Sequence, residues 1–143
     1  MISQAMQVVG WWALGALFGA MVFFPAVVAP RVFRVLDGES AGNFLRALFP
    51  GYYLFMIVSA AIAAVCFHPH VVVAGGLLAV AISTLLVRQL LVPSINAARD
   101  AQLAGDSQAG ARFQRGHRLS VIINVAQLVF VTWALARLAL SQA

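Results

Sequence analysis

Read for apolar and polar positions alone, the chain falls into three long stretches without a charge: Met1 to Pro30, Ala47 to Val87 and Leu119 to Ala136. The middle stretch is interrupted at Cys66–His70, where His68-Pro69-His70 has room for no more than a tight turn, so it divides into two. A bilayer core about 30 Å thick needs about 20 apolar residues per helical span. The pattern therefore predicts four spans, at about 7–29, 51–67, 71–92 and 119–140, within a single domain covering residues 1–143. None of the four has the polar face that a soluble amphipathic helix would carry. The expected fold is all-α, an antiparallel four-helix transmembrane bundle running up-down-up-down.

Local signals punctuate the spans. Pro25 falls inside the first and should bend its last turns, and Pro30 should mark its exit. In the polar segment from Arg31 to Arg46, Asp37-Gly38 reads as a turn and Ser40 as an N-cap. Phe44, Leu45, Leu48 and Phe49 recur at helical spacing, which suggests a short amphipathic helix lying along the membrane surface. Pro50 suits the first turn of span two, and Pro93 closes span three. The second polar segment, Ser94 to Arg118, can extend both neighbouring helices, with Gly105 as a stop and Asp106 or Ser107 as the next start. Gly15 and Gly19 form a small-xxx-small pair, and span two offers Ser59, Ala60, Ala63 and Ala64, the close-approach surfaces by which helices associate in lipid.

Charge then changes the picture. Nine basic residues, all arginine, stand against four acids, for a formal charge of +5. In a soluble protein such a balance would point to nucleic acid. Here the arginines flank spans, so no nucleic-acid partner is expected and their role is orientation. Seven of the nine (Arg31, Arg34, Arg46, Arg99, Arg112, Arg115, Arg118) fall in the two long polar segments, on one side. The positive-inside bias puts that side in the cytoplasm of a bacterial inner membrane, with both termini outside. The N-terminal stretch lacks the basic start and small-residue cleavage site of a removed signal peptide, so it reads as the first span.

Candidate chemistry is sparse. His117, Ser120, Asn124 and Gln127 are offset by three, seven and ten residues, one stripe of span four. Polar groups within a span turn towards protein or water. The stripe is therefore either helix-to-helix glue or the wall of a polar pocket open to the cytoplasm. Arg88, inside the apolar run of span three, is an intramembrane charge and hence a site candidate, although arginine near a span end also snorkels to the interface. Together with His117, Arg34 and Arg118 it would form a basic rim suited to an anionic lipid headgroup or small ligand. Cys66-x-His68-x-His70 clusters ligands that suit Cu(I) or Zn, but Pro69 interrupts the geometry and a fourth ligand is missing. The lone Cys66 excludes an internal disulfide. All four acids lie in the polar segments, which leaves an acid–base enzyme short of groups.

Three segments in order resemble one family: Phe33-Arg34 followed by Leu48-Phe49-Pro50-Gly51-Tyr52, Pro93 directly after span three, and His117-x-x-Ser120-x-x-x-Asn124 at the head of span four. The chain is similar to transmembrane protein 205 and its bacterial relatives, catalogued as a domain of unknown function. That resemblance implies a four-helix integral membrane protein. It also implies export or trafficking, since the animal member is linked to resistance to platinum drugs. It marks Pro50, Tyr52, Pro93, His117, Ser120 and Asn124 as matching positions without assigning them roles. Arg118 departs from the small residue expected after the histidine, and crowds any pocket there. Three readings follow: a membrane protein that binds or moves a small molecule or ion, a haem- or copper-binding redox protein, or an assembly subunit of a larger complex. Haem held between two histidines would require a dimer, and a pore would require a homo-oligomer.

Overall fold

In a computed structural model, which describes residues 3–141, the chain is four long helices and no strand among the described residues. They are α1 (Gln4–Val35), α2 (Gly38–Cys66), α3 (Val71–Leu103) and α4 (Ala109–Leu140), each long and apolar enough to cross a bilayer. Each packs against its two neighbours in a ring, α1 on α2, α2 on α3, α3 on α4 and α4 back on α1. Outward-facing positions are apolar as well, among them Trp12, Val65, Leu90 and Val129. Water would penalise such a surface, whereas lipid tails do not.

The helices are longer than the spans. Thirty-two residues rise about 48 Å at 1.5 Å each, well beyond a hydrocarbon core of about 30 Å. The α2–α3 connection occupies only residues 67–70, closed by His70 N–H donating to Phe67 O at 2.9 Å. The surplus length therefore emerges at the opposite, arginine-bearing end.

Several sequence expectations change here. The residues from Gly38 to Phe49 do not lie on the surface as a separate helix; they run straight into α2, with Pro50 inside the helix. Asp37 is the N-cap in place of Ser40, its Oδ1 accepting from Glu39 N–H at 3.0 Å and Ser40 N–H at 2.9 Å. The Ser40 backbone N–H and then the Ser40 hydroxyl hold the Asp37 carboxyl below its ordinary value. Pro30 does not end α1. A π turn at Phe24–Val28 lets Ala29 N–H donate to Phe24 O, five residues back, and the helix continues through Pro30 to Val35. α3 repeats the device: a π turn at Val87–Leu91, closed by Val92 N–H on Val87 O, immediately precedes Pro93. A proline ring clashes with the carbonyl four residues earlier, and a widened turn just before it makes room without breaking the helix.

The core occupies the half of the bundle nearest the α2–α3 turn. Leu14, Leu17, Met56, Ala60, Ala63, Phe67, Leu77, Val131, Ala134 and Leu138 are buried there. The small residues of α2 anticipated as a packing face, Ser59, Ala60, Ala63 and Ala64, are all buried. Gly15 and Gly19 are not part of this packing, since a Cβ on either would meet nothing within 4 Å. The close approach is at Gly10, where a Cβ would sit 2.8 Å from Cys66 Cβ and 3.0 Å from the Phe67 ring.

Candidate functional site

Towards the arginine-bearing end the bundle is hollow. α1 packs on α4 through its Gln4–Phe23 half. Beyond that, Phe24, Pro25 and Ala29 of α1 and Val121 and Val125 of α4 line a cavity of about 510 Å³ that all four helices enclose. On α4 the lining runs from Leu128 to Phe113, about 22 Å along the axis. The cavity thus reaches from the apolar interior to the polar overhang.

Its deep end is aromatic and apolar. Phe24 lies 5.4 Å from Phe49 and 5.0 Å from Tyr52 between ring centroids, and Phe49 stacks on Tyr53 at 5.5 Å. Tilted and offset contacts at these separations are the favoured aromatic geometry. Tyr52 Oη donates to Ala20 O at 3.2 Å, which ties α2 to α1 just before the π turn. Pro25 lines the wall within that turn.

The outer end is polar and cationic. Arg46 of α2 and Arg99 and Asn96 of α3 line one side; His117, Ser120 and Asn124 of α4 line the other. Arg46 makes a two-pronged ion pair with Asp100, at 2.7 and 3.3 Å. Both side chains are about half exposed, at 40% and 57%, so solvent screens the pair and it serves mainly to orient. Arg99 donates to Gly38 O at 2.7 Å. Gly42 makes this possible: a Cβ there would collide with the Arg99 guanidinium. Ser120 Oγ donates to His117 O at 2.7 Å and Asn124 Nδ2 to Ser120 O at 2.9 Å, both within α4. The His117 ring stacks nearly parallel on Phe113, with centroids 6.1 Å apart. No lining residue is a carboxylate. The lining itself offers hydrogen-bond donors and positive charge.

Of the residues singled out in the sequence, Tyr52, His117, Ser120 and Asn124 line the cavity together. Gln127 does not; it is buried, with Nε2 donating to Ser83 Oγ at 2.8 Å and Thr84 Oγ1 at 3.1 Å, and so fastens α4 to α3. Arg88 lies outside the lining, its Nε donating to Pro50 O at 3.2 Å. Arg34 is exposed beyond the cavity, and Arg118 borders a shallower depression with Phe113, His117 and Val121. At the opposite end Cys66 is buried, His68 Nδ1 lies 3.1 Å from Val65 O, and His70 meets the edge of Phe67. No group of three His, Cys, Asp or Glu side chains among the described residues could hold a metal ion.

Arg46, Arg99, Asn96, Phe24 and Phe49 line the site without having been picked out as site residues. The two arginines read as orientation charges. Their partners are 54 and 61 residues away in sequence, so no local pattern reveals them. Gly42, where a Cβ would collide with the Arg99 guanidinium, marks the close approach of α2 to α3 at this end.

The architecture and cavity together define a class: a small four-helix protein with the make-up of a multi-pass membrane protein and a chamber between its helices at the arginine-rich end. Within that class the chain belongs to the family described as Domain of unknown function (DUF4149), which it matches over residues 12–104. The matched stretch takes in α1 from Trp12 onward and all of α2 and α3, hence the aromatic end of the chamber and both lining arginines, but not α4. No curated protein and no solved structure matches the chain.

Proposed function

We propose that this protein binds a small molecule in the chamber at its arginine-rich end, and passes it between membrane and water or across the bilayer. The observation that carries the reading is the chamber itself. About 510 Å³ lies within the range of ligand pockets, roughly 300–1,000 Å³, and has their make-up of apolar walls with a few convergent polar groups. Under the positive-inside bias the arginine-rich end faces the cytoplasm of a bacterial inner membrane, so the chamber opens on that side and both termini lie opposite. The order of Phe33-Arg34, Leu48–Tyr52, Pro93 and His117-x-x-Ser120-x-x-x-Asn124 supports kinship with transmembrane protein 205, and with it a role in export or trafficking.

Filling the chamber tests the reading. Ala29 lines it from α1, and Ala29→Trp places an indole in the space without touching the core half of the bundle. Binding of an amphiphilic probe to the purified protein, followed by native mass spectrometry, should weaken at least tenfold in Ala29→Trp. Arg88→Leu, outside the lining, should leave it unchanged. Equal binding by Ala29→Trp and the parent would refute the chamber as the site.

A further inference from the structure

We infer that the occupant of the chamber is an anionic membrane lipid, which enters sideways between α1 and α4 and holds its acidic headgroup at Arg99 and Arg46. This rests on the chamber being the binding site, and adds the chemical class of ligand and its route.

The charge balance of the lining carries the first half. Three of its side chains are basic types, Arg46, Arg99 and His117, and none is acidic. The one carboxylate in contact with them is Asp100, engaged by Arg46 through both oxygens. Arg99 spends its short hydrogen bond on a neutral carbonyl, Gly38 O, so its charge is not neutralised by that contact. Two guanidinium groups against one carboxylate leave a positive surplus at the mouth. Guanidinium is the side chain whose planar fork suits phosphate and carboxylate oxygens, and Asn96 on the same helix adds an amide donor beside it.

Shape carries the second half. Polar and apolar ends are separated along the helix axis: Arg46 and Arg99 lie at the polar end, whereas Met21, Phe24, Tyr52 and Leu128 line the other, within the apolar stretches of the helices. A ligand matching both ends has a charged head and an apolar tail, aligned like the lipids around it. A cavity of about 510 Å³ is of the size of small-molecule pockets, and so takes only part of a whole membrane lipid. The remaining tail lies outside the chamber, and its route is placed between Phe24, Pro25 and Ala29 of α1 and Val121 and Val125 of α4, which line the same space from the two sides.

Native mass spectrometry of the full chain in a neutral detergent provides the test. The probes are lysophosphatidylglycerol, lysophosphatidylcholine with the same tail, and glycerol phosphate. The anionic lysolipid should bind at least tenfold tighter than the zwitterionic one, and glycerol phosphate should not bind detectably. Arg99→Gln should bring the two lysolipids within about twofold of each other, and Arg99→Lys, which keeps the charge without the fork, should restore part of the preference. Asp100→Asn, which removes the counter-charge, should widen the preference at least threefold; it keeps the inference testable should Arg99→Gln fail to fold. Equal affinity of the two lysolipids for the parent, provided Ala29→Trp still abolishes both, would overturn the lipid class while leaving the chamber as the site. Glycerol phosphate binding as tightly as the lysolipid would overturn it in favour of a soluble anion. Lysolipid binding unaffected by Ala29→Trp would remove the chamber reading itself.

Discussion

At the residue scale the glycines separate by what surrounds them. Gly10 has Cys66 Cβ and the Phe67 ring within 2.8–3.0 Å of where its own Cβ would stand, and a Cβ held by backbone cannot swing aside. Gly15 and Gly19 have nothing there. Overpacking costs typically about 1–3 kcal/mol, whereas alanine in place of glycine favours a helix by roughly 1 kcal/mol. Gly10→Ala should therefore lower the thermal unfolding midpoint in detergent, and Gly15→Ala should leave it unchanged or raise it. An equal response from both would deny the α1–α2 approach. Gln127 gives a second case. Its amide bridges to Ser83 and Thr84 from 44 and 43 residues away. Hydrogen bonds between membrane helices average about 0.6 kcal/mol with a maximum near 1.7, so Gln127→Leu should cost an amount in that range. Lysolipid binding should be unaltered, because the residue stands outside the chamber.

At the element scale the helix ends and the two π turns matter most. α4 begins without a side-chain cap from Gln108. Instead Asp106 Oδ1 accepts from Gln108 N–H at 2.8 Å and Oδ2 from Arg112 at 2.6 Å. The Gln108 N–H, and after it Arg112, hold the Asp106 carboxyl below its ordinary value. A carboxyl whose value is depressed by folding stabilises the fold above its unfolded value, near pH 4, and loses that contribution as pH falls through the folded one. Helical chemical shifts at residues 109–112 should accordingly decline as the solution is acidified below about pH 4. In Asp106→Asn they should be weaker at neutral pH and insensitive to that change. A parent titration as flat as the variant's would show that the carboxyl does not hold this end of α4. The π turns at Phe24–Val28 and Val87–Leu91 each add a residue to a turn just before Ala29-Pro30 and Val92-Pro93. Residues beyond each are thereby rotated relative to a regular helix. That rotation decides which faces of Ala29, Phe33, Asn96 and Arg99 meet the chamber.

At the scale of the whole molecule the division is between a filled half and a hollow half. The four helices overhang a bilayer at one end only, because the α2–α3 turn is too short to extend and the polar segments are not. Seven arginines lie in the two polar segments at that end, and the proposed orientation follows the bias that keeps such charge in the cytoplasm. A reporter fused to the C-terminus should consequently be active only when the reporter works outside the cytoplasm. Activity of a cytoplasm-dependent reporter would invert the topology and move the chamber mouth to the other face.

Much of this was legible in the linear pattern, and the reason is physical. Hydrocarbon offers backbone groups no partner, so a charge-free stretch long enough to span must be helical. Length and charge spacing thus determined the number of helices, their alternation and the end at which the arginines gather. His117, Ser120 and Asn124 could be placed on one stripe by helical period alone. The fate of each polar residue was another matter, since it depends on which helix lies opposite. Gln127 belongs to the same stripe, yet meets Ser83 and Thr84 and is spent on packing. Arg88 looked exceptional by depth, yet its Nε reaches a carbonyl of α2 outside the chamber. Arg46 and Arg99 looked ordinary, and only the crossing of α2 with α3 brings them to the mouth beside Gly42. Tertiary structure alone decided where the chamber lies, because a cavity is the space four helices fail to fill, and no single helix encodes it.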